Sequence, residues 1–235
     1  MSQNIVNCLY KHFENTPKKL KIVCDWDEVI QSHEPYALYL ATNEKSNLLS
    51  NSFEKGFKEF WEEKKVEYSP YGSKLKEETF GKEIIEKQKA IKNSPDLYQN
   101  QPFLTIAKEL LKLIKENKVE QLIFLSAYDK RKFPNEDPRK QKIVKETFGR
   151  FVNCSLQLIG FTSEIQGANK ADWIKANASD FDIMIDDNPY ICQSIAENIP
   201  NINVITPYYP AVAEQHHKKV LLVKTSVSDL KKESF

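Results

Sequence analysis

Short apolar runs alternate with amphipathic stretches along most of this chain. The first run, Leu20–Cys24, is rich in branched residues and is followed directly by acidic positions. Apolar runs of this length without polar alternation are typical of strands buried on both faces of a parallel sheet. Similar runs predict further strands at residues 121–125, 156–161, 181–185, 203–206 and 220–223.

Helical patterns lie between these predicted strands. Apolar residues recur at helical spacing over residues 105–114, and Asp137 and Pro138 provide a start signal for a helix that ends near Gly149. Another helix is predicted to begin at Lys170. Strands and helices that alternate in this way indicate an α/β protein with a mostly parallel, doubly wound, Rossmann-like sheet.

One long stretch, residues 31–100, departs from this alternation. It has no strand-like run, and its helical patterns are rich in Lys, Glu and aromatic residues. Residues 53–61 and 80–91 form two amphipathic patterns. We therefore predict a helical insertion at 31–100 in a core formed by 1–30 and 101–235. Its aromatic side chains are expected to pack inside the protein rather than serve as a ligand platform.

The composition is that of an ordinary globular protein. Hydrophobic residues make up 40% and charged residues 29% of the 235 positions, so neither disorder nor a fibrous repeat is indicated. Lys and Arg number 34 against 33 Asp and Glu, and this balance provides no global attraction for nucleic acid or an anionic membrane. Because no run is long enough to span a bilayer and no secretory leader pattern is found, we expect a soluble, cytoplasmic protein.

Cysteine and histidine positions do not indicate a metal or redox site. Cys8, Cys24, Cys154 and Cys192 lack the paired spacing of a zinc site or a redox couple. The adjacent histidines at 216–217 lie in a polar stretch without cysteine partners, which favours a surface position. The sequence also lacks a cysteine-phosphatase loop, a nucleophile elbow and a Walker loop.

Polar residues of chemical interest follow the predicted strands. In a doubly wound sheet, ligands bind beyond the carboxyl ends of the strands, so these positions are informative about function. They are Asp25 and Asp27 after the first strand, Ser126 after the second, Lys170 at a helix start, and Asp186 and Asp187 after the strand that ends at Ile185. Each alone has an ordinary explanation as a helix cap, a turn or a surface charge.

These side chains favour a functional site if they converge on one edge of the sheet. Carboxylates at close range repel one another strongly at low dielectric, so such a cluster favours a bound cation. Oxygen ligands at this density suit a hard divalent ion that retains several waters, and we predict Mg²⁺. Ser126 and Lys170 would then supply the hydrogen bond and the positive charge that a transferring phosphoryl group needs.

The same residues carry a resemblance to a known family. Asp25-Trp26-Asp27-Glu28-Val29, Ser126, Lys170 and Asp186-Asp187 resemble, in order and in strand-end placement, the four motifs of the haloacid dehalogenase superfamily. The resemblance extends from about Leu20 to Thr206, and it identifies 31–100 with the cap that many members insert after the first motif. The presence of a second aspartate in the first motif favours phosphomonoester hydrolysis over dehalogenation.

The resemblance implies a two-step mechanism and a magnesium site. Asp25 is then the nucleophile that forms an aspartyl-phosphate, and Asp27 is the general acid and base. Magnesium is held by the carboxylates of Asp25 and Asp186 and by the backbone carbonyl of Asp27, with Asp187 in a supporting position.

Two positions leave alternatives open. Glu28 stands where many small-molecule phosphatases of this superfamily have glycine, and similar members with Glu there include phosphatases of protein substrates. Lys175, on the same predicted helix as Lys170, is an alternative phosphate-binding lysine, although Lys170 lies at the helix start and nearer the strand ends.

The expected substrate is a phosphorylated small molecule. Residues 182–189 resemble the corresponding run of deoxyribonucleotidase-like members, which favours a nucleotide or another small phosphate. Glu28 and the aromatic-rich insertion leave a phosphoprotein, carrying phosphotyrosine or phosphoserine/threonine, as the alternative. A third alternative is a binding protein that has kept the fold and lost turnover.

Overall fold

The computed structural model describes residues 5–43, 51–64, 73–94, 96–161, 167–209, 215 and 217–235. Its centre is a seven-stranded sheet in which all neighbouring strands are parallel. The strands, in chain order, are β1 (Ile5–Val6), β2 (Leu20–Cys24), β3 (Val119–Asp129), β4 (Cys154–Phe161), β5 (Ile183–Ile185), β6 (Asn203–Pro207) and β7 (Leu221–Val223). Their spatial order is β1-β7-β6-β5-β2-β3-β4.

Helices connect these strands and form the insertion. In the described part of the chain they are α1 (Leu9–Phe13), α2 (Glu34–Thr42), α3 (Asn51–Lys64), α4 (Ser73–Phe80), α5 (Lys82–Lys92), α6 (Leu97–Asn100), α7 (Thr105–Lys115), α8 (Pro138–Phe148), α9 (Gly167–Asn177) and α10 (Pro189–Asn198). A short 3₁₀ turn follows at Lys232–Ser234.

The sheet has a separate apolar core on each face. Successive residues of a strand point to opposite faces, so Ile22 and Cys24 of β2 belong to the core under α1, α7 and α8. Val23, between them, belongs to the core under α9 and α10. Trp26 packs edge-on against Phe124 in the first core, with ring centroids 5.1 Å apart. Helices on both faces of a parallel sheet confirm the predicted doubly wound α/β fold.

Strand β2 lies at the point where the chain order of the sheet reverses. The chain passes from β2 to β3 and β4 on one side and then returns to β5 and β6 on the other. Cys24, the last residue of β2, therefore pairs with Phe124 on one side and with Ile185 on the other. Crevices at the carboxyl ends of strands open at such reversal points, so this edge is the expected place for a ligand.

Two aromatic residues of the predicted amphipathic pattern at 53–61 are packing residues. Phe57 and Trp61 of α3 are each 1% exposed. They belong to a third apolar core that also contains Tyr209 and Val227, which follow β6 and β7 in the chain. Burial against residues of the sheet domain accounts for these rings without a ligand.

The two ends of the insertion meet beside the sheet. Gln31 Nε2 donates to the backbone oxygen of Gln101 at 3.1 Å, and Gln101 Nε2 donates to Gln31 Oε1 at 2.9 Å. The described residues between them form α2 to α6 and no strand. The division into a core and a cap at 31–100 stays a prediction.

The structure corrects several predicted elements. Asn188 caps α10 through its side chain and Pro189 is the first residue of that helix, so the run 186–189 is more than a turn. Gly81, at φ +80°, separates α4 from α5, so residues 80–91 are not one helix. Ser126 lies within β3 rather than after it. The sequence patterns gave no prediction for β1, α1, α2, α4, α6 and α10.

Candidate active site

Three buried carboxylates meet at the carboxyl ends of β2 and β5. Asp25 follows β2, and its backbone N–H donates to Ile185 O at 2.8 Å, which fixes the two strand ends side by side. Asp186 and Asp187 follow β5 directly. Asp25, Asp186 and Asp187 each offer a carboxylate oxygen, and these oxygens lie within 4.8 Å of one another. This acidic trio is therefore a product of the strand pairing.

Lys170 lies in the first turns of α9 and enters the acidic trio. Its Nζ is 3.0 Å from Asp25 Oδ2 and 2.8 Å from Asp186 Oδ2, and the residue is 2% exposed. Burial disfavours the charged ammonium, but the charges of Asp186 and Asp25 outweigh burial and raise the pKa of Lys170. Lys175, the alternative on the same helix, is exposed to solvent.

The carboxylates outnumber the ammonium that faces them. Burial raises the pKa of Asp186 to about 6, with Asp25 adding to the effect and Lys170 opposing it. Burial, followed by the charges of Asp186 and Asp25, raises the pKa of Asp187 well above its usual range. Excess negative charge of this kind is relieved by a proton or by a cation.

The donor set of the acidic trio fits a hard divalent cation. Its ligand atoms are carboxylate oxygens, which Mg²⁺ and Ca²⁺ prefer. Asp25 Oδ1 is buried and has no hydrogen-bond partner in the described part of the chain. An orphaned carboxylate oxygen beside two further carboxylates is the observation that supports a metal here.

Asp27 has a different environment from the acidic trio. Its Oδ2 accepts hydrogen bonds from Lys140 Nζ at 2.6 Å and from the Tyr98 hydroxyl at 3.1 Å. Burial favours the neutral acid, but the charge of Lys140 and these hydrogen bonds outweigh it and lower the pKa of Asp27. Its side chain is thus held by a cation of the protein itself.

Ser126 and Asp27 share this same cation. Lys140 Nζ lies 2.8 Å from Ser126 Oγ and 2.7 Å from the backbone oxygen of Ala127, and Lys140 is 4% exposed. Lys140 comes from the first turn of α8, where Asp137 caps the helix by accepting from Arg139 N. Lys170 was predicted to act with Ser126, whereas the structure places Lys140 against Ser126.

The sequence contains a signal that could have identified Lys140. Asp137 and Pro138 correctly predict the start of α8, and the first turn of a helix that follows a parallel strand lies at the ligand-binding edge of the sheet. A lysine in that turn is therefore a candidate for the site. Lys170 was predicted from such a position, whereas Lys140 was not.

Residues of the insertion close one side of the site. The His33 ring stacks on Tyr98 with centroids 4.9 Å apart, and the guanidinium of Arg139 lies 5.1 Å from the Tyr98 ring on α6. Arg139 also donates to the backbone oxygens of Lys92 and Ser94, at the end of α5, at 3.1 and 3.2 Å. No sequence pattern identified these residues, because their role depends on where the insertion packs.

Glu28 has a local structural role. Its φ of +59° lies in the left-handed region, where glycine is favoured. The Glu28 carboxylate accepts from the backbone N–H groups of His33 and Glu34 at the start of α2. Burial raises the pKa of Glu28 well above its usual range. Glu28 is therefore explained without reference to a protein substrate.

A cavity of about 520 Å³ connects these groups. All six predicted site residues line it, together with residues of α8 and of the insertion: Asp25, Asp27, Ser126, Lys170, Asp186 and Asp187, then His33, Lys92, Tyr98 and Lys140. A volume in this range is typical of pockets for small molecules.

Other candidate features lie away from this cavity. The four cysteines are free thiols, and two of them, Cys24 and Cys192, are buried in the two sheet cores. His217 is partly exposed, whereas residue 216 lies outside the described residues. Among the described helices, none is long and apolar enough to cross a membrane.

Comparisons with known proteins return structural neighbours only. No protein-family model matches the sequence, and no curated protein matches it. A protein from Bacteroides vulgatus provisionally named beta-phosphoglucomutase aligns with 91% of this chain and 88% of its own at 12% identity and a TM-score of 0.44. A haloacid dehalogenase-like family hydrolase from Streptococcus pneumoniae aligns with 87% of this chain and 93% of its own at 9% identity and a TM-score of 0.43. TM-scores this low assign neither a family nor an activity, so the residues of the site carry the functional argument.

Proposed function

We propose that this chain is a magnesium-dependent phosphomonoester hydrolase of the haloacid dehalogenase type. The observation that carries the proposal is the meeting of an acidic trio, a separate, partly buried aspartate and two buried lysines in one cavity at the reversal point of the sheet. The first group supplies a nucleophile and metal ligands. The second supplies an acid and base with its own cation.

Asp25 is the proposed nucleophile. One of its oxygens is held by Lys170, whereas Oδ1 has no partner in the described part of the chain. An oxygen of Asp25 attacks phosphorus, the bond from phosphorus to the leaving oxygen breaks, and an aspartyl-phosphate forms. Covalent catalysis of this kind divides one difficult displacement into two easier ones.

Asp27 is the proposed general acid and base. A phosphate dianion beside Asp27 raises the pKa of its carboxyl by like-charge repulsion, which favours the protonated form that gives its proton to the leaving oxygen. The ionised Asp27 then takes a proton from the water that attacks phosphorus, and Asp25 and inorganic phosphate are released. Lys140 stabilises this ionised form by direct contact.

Asp25, Asp186 and Asp187 are the side chains that would hold magnesium, with the backbone carbonyl of Asp27 as a further proposed ligand. When bound, magnesium neutralises carboxylate charge and polarises a phosphoryl oxygen. Lys170 lowers the repulsion between Asp25 and Asp186, and Ser126 offers its hydroxyl to the phosphoryl group.

The proposed substrate is a small phosphate ester such as a nucleotide. Residues of the insertion, including His33, Lys92 and Tyr98, form part of the cavity wall, and such a wall restricts access for a protein surface. A panel of nucleotides, sugar phosphates and phosphotyrosine and phosphoserine peptides tests this choice. Faster turnover of a phosphopeptide than of the small esters would contradict it.

Hydrolysis of 4-nitrophenyl phosphate with and without magnesium tests the activity itself. Asp25→Asn is expected to lower kcat by about a thousandfold or more, because it removes the nucleophile. Asp172→Asn, an exposed aspartate on α9, is the matched control and should retain wild-type turnover. Absence of magnesium-dependent turnover above the level of Asp25→Asn would reject the enzyme and leave the binding-protein alternative.

A radiolabelled substrate tests the covalent intermediate. Rapid acid quenching should trap phosphate on the wild-type protein, and hydroxylamine should release it, since acyl phosphates react with hydroxylamine. Asp25→Asn should trap none. Turnover without any trapped label at early times would argue for direct attack by water.

A further inference from the structure

Lys140 is a buried lysine of the cavity wall with three hydrogen-bond acceptors. It is 4% exposed, and its Nζ contacts Asp27 Oδ2 at 2.6 Å, Ala127 O at 2.7 Å and Ser126 Oγ at 2.8 Å. An ammonium has three hydrogens and no lone pair, so these three acceptors use all of them. Lys140 would have to break one of these bonds to bind a substrate oxygen directly.

We propose that Lys140 is a positioning residue that holds the acid/base Asp27 and the phosphate-binding Ser126 in one fixed arrangement. This inference rests on the proposed function and assigns to the same site a residue that acts through two others. Its ammonium joins β3, which carries Ser126, to the residues after β2, which carry Asp27. One side chain from α8 thereby sets the distance between the two groups.

The contact with Ser126 directs the serine hydroxyl. Lys140 can only donate, so Ser126 Oγ accepts this hydrogen bond through a lone pair. The hydroxyl hydrogen of Ser126 is then left to donate to another group. A phosphoryl oxygen in the cavity is the acceptor that the proposed reaction supplies.

Lys140 shares its hydrogen-bond acceptor on Asp27 with a second donor. Both donors, Lys140 Nζ and the Tyr98 hydroxyl, bind Oδ2. Asp27 Oδ1 is buried and has no hydrogen-bond partner in the described part of the chain. Two donors on one oxygen fix the carboxylate plane, so Lys140 and Tyr98 together orient the acid/base that exchanges a proton with the leaving group and with water.

Leaving-group dependence distinguishes this role from phosphate binding. An alkyl phosphate needs a proton on its leaving oxygen, whereas 4-nitrophenolate leaves readily without one. In Lys140→Met, which keeps the apolar stem, kcat for 2-glycerol phosphate should fall about a hundredfold and kcat for 4-nitrophenyl phosphate about tenfold or less. KM should change by less than about threefold for both substrates, since Lys140 does not bind the phosphate.

Two further variants calibrate the result. In Asp27→Asn, kcat should again fall more for 2-glycerol phosphate than for 4-nitrophenyl phosphate, and both losses should be larger than in Lys140→Met. Tyr98→Phe removes only the second donor to Asp27, so its kcat values should follow the same order with smaller losses. Lys142→Met, an exposed lysine of α8, is the matched control and should behave as wild type. Near-ultraviolet circular dichroism of Lys140→Met should match the wild-type spectrum.

The possible failures are distinguishable. An equal loss on both substrates, or a rise in KM with unchanged kcat, overturns the positioning role of Lys140 while the hydrolase proposal stands. A Lys140→Met protein with a lost near-ultraviolet spectrum also overturns it, because Lys140 would then support the fold. If wild type hydrolyses neither ester in magnesium, the proposed function itself fails, whatever the variants do.

Discussion

The cavity has two sides, and each contains a buried lysine with different partners. Lys170 contacts two of the three carboxylates of the acidic trio, those of Asp25 and Asp186. Lys140 faces a single carboxylate, that of Asp27, and a hydroxyl. The same residue type therefore serves a side with excess negative charge and a side with balanced charge.

This difference appears in the pKa values of the two sides. Burial raises the pKa of Asp186 to about 6 despite the nearby Lys170, whereas Lys140 overcomes burial and lowers the pKa of Asp27. The excess negative charge of the first side favours an added cation. On the second side, Lys140 already neutralises the charge of Asp27, so no further cation is needed. The number of carboxylates for each lysine, rather than the presence of a lysine, therefore indicates which side has the charge to hold a metal.

Lys170→Met should change the free energy of unfolding more than any other substitution considered for the two sides. Removing one partner of a buried ion pair leaves uncompensated carboxylates, so the free energy of unfolding should fall by about 3–5 kcal/mol in EDTA. Magnesium should recover part of the loss, since it replaces the missing positive charge. Urea unfolding with EDTA and with magnesium measures both values, and an unchanged loss in magnesium would argue against a metal at the acidic trio.

Magnesium itself should stabilise the wild-type protein through the carboxylates of the acidic trio and not through the carboxylate of Asp27. At a magnesium concentration one hundred times Kd, the free energy of unfolding should rise by about 2.7 kcal/mol. Asp186→Asn should abolish most of this rise, whereas Asp27→Asn should keep it, because the Asp27 carboxylate lies with Lys140. Thermal unfolding over a magnesium titration measures the difference. If both variants lost the magnesium-dependent rise in stability equally, the two sides would not differ in metal binding.

The two sides should also respond to pH with opposite signs in EDTA. The lowered pKa of Asp27 contributes stability above its unfolded value near 3.9, and this contribution is lost as the pH falls toward the folded pKa. The raised pKa of Asp186 contributes stability below the unfolded value, and that contribution is lost as the pH rises through about 6.

Variants of each side measure these signs separately. Lys140→Met should be less stable than wild type by about 1–2 kcal/mol at pH 7, and the difference should shrink as the pH falls below about 4. The stability of Asp186→Asn relative to wild type should instead increase between pH 5 and pH 7. Urea unfolding at several pH values checks both, and parallel pH profiles for all three proteins would contradict the contrast.

The smallest expected effect belongs to Lys175→Met. Lys175 is exposed on the same helix as Lys170, so the free energy of unfolding should change by no more than about 0.5 kcal/mol. Turnover should be unchanged. A loss comparable with that of Lys170→Met, measured in the same unfolding and rate assays, would return Lys175 to the site as the phosphate-binding lysine.

Strands and their end residues were predictable because apolar runs are a local property of the sequence. The runs for β2 to β7 were recognised, and the pairing of β2 with β5 then brings Asp25 to Asp186 as parallel topology requires. Helix α2 was missed because most of its side chains are buried, which leaves no amphipathic period to detect. Helix α10 was missed because Asn188 and Pro189 are as common in turns as at helix starts.

The second side of the cavity was harder to predict for a physical reason. The contacts of Lys140 with Asp27 and Ser126 depend on the reach of a flexible side chain between elements far apart in sequence. Tyr98 meets Asp27 only because the insertion packs where it does, and the pattern of an amphipathic helix says which face is apolar but not what that face contacts.

The reversal of strand order at β2 also bears on how the protein is made. The backbone N–H of Lys21 in β2 donates to the side chain of Asp182, 161 residues later in the chain. During synthesis, β2 is without its β5 partner until most of the chain has left the ribosome. Long-range parallel pairings form slowly, and unpaired apolar strands are prone to aggregation while they wait. We therefore expect the meeting of Asp25 with Asp186 and Asp187 to be a late event of folding, which would make the chain depend on chaperones.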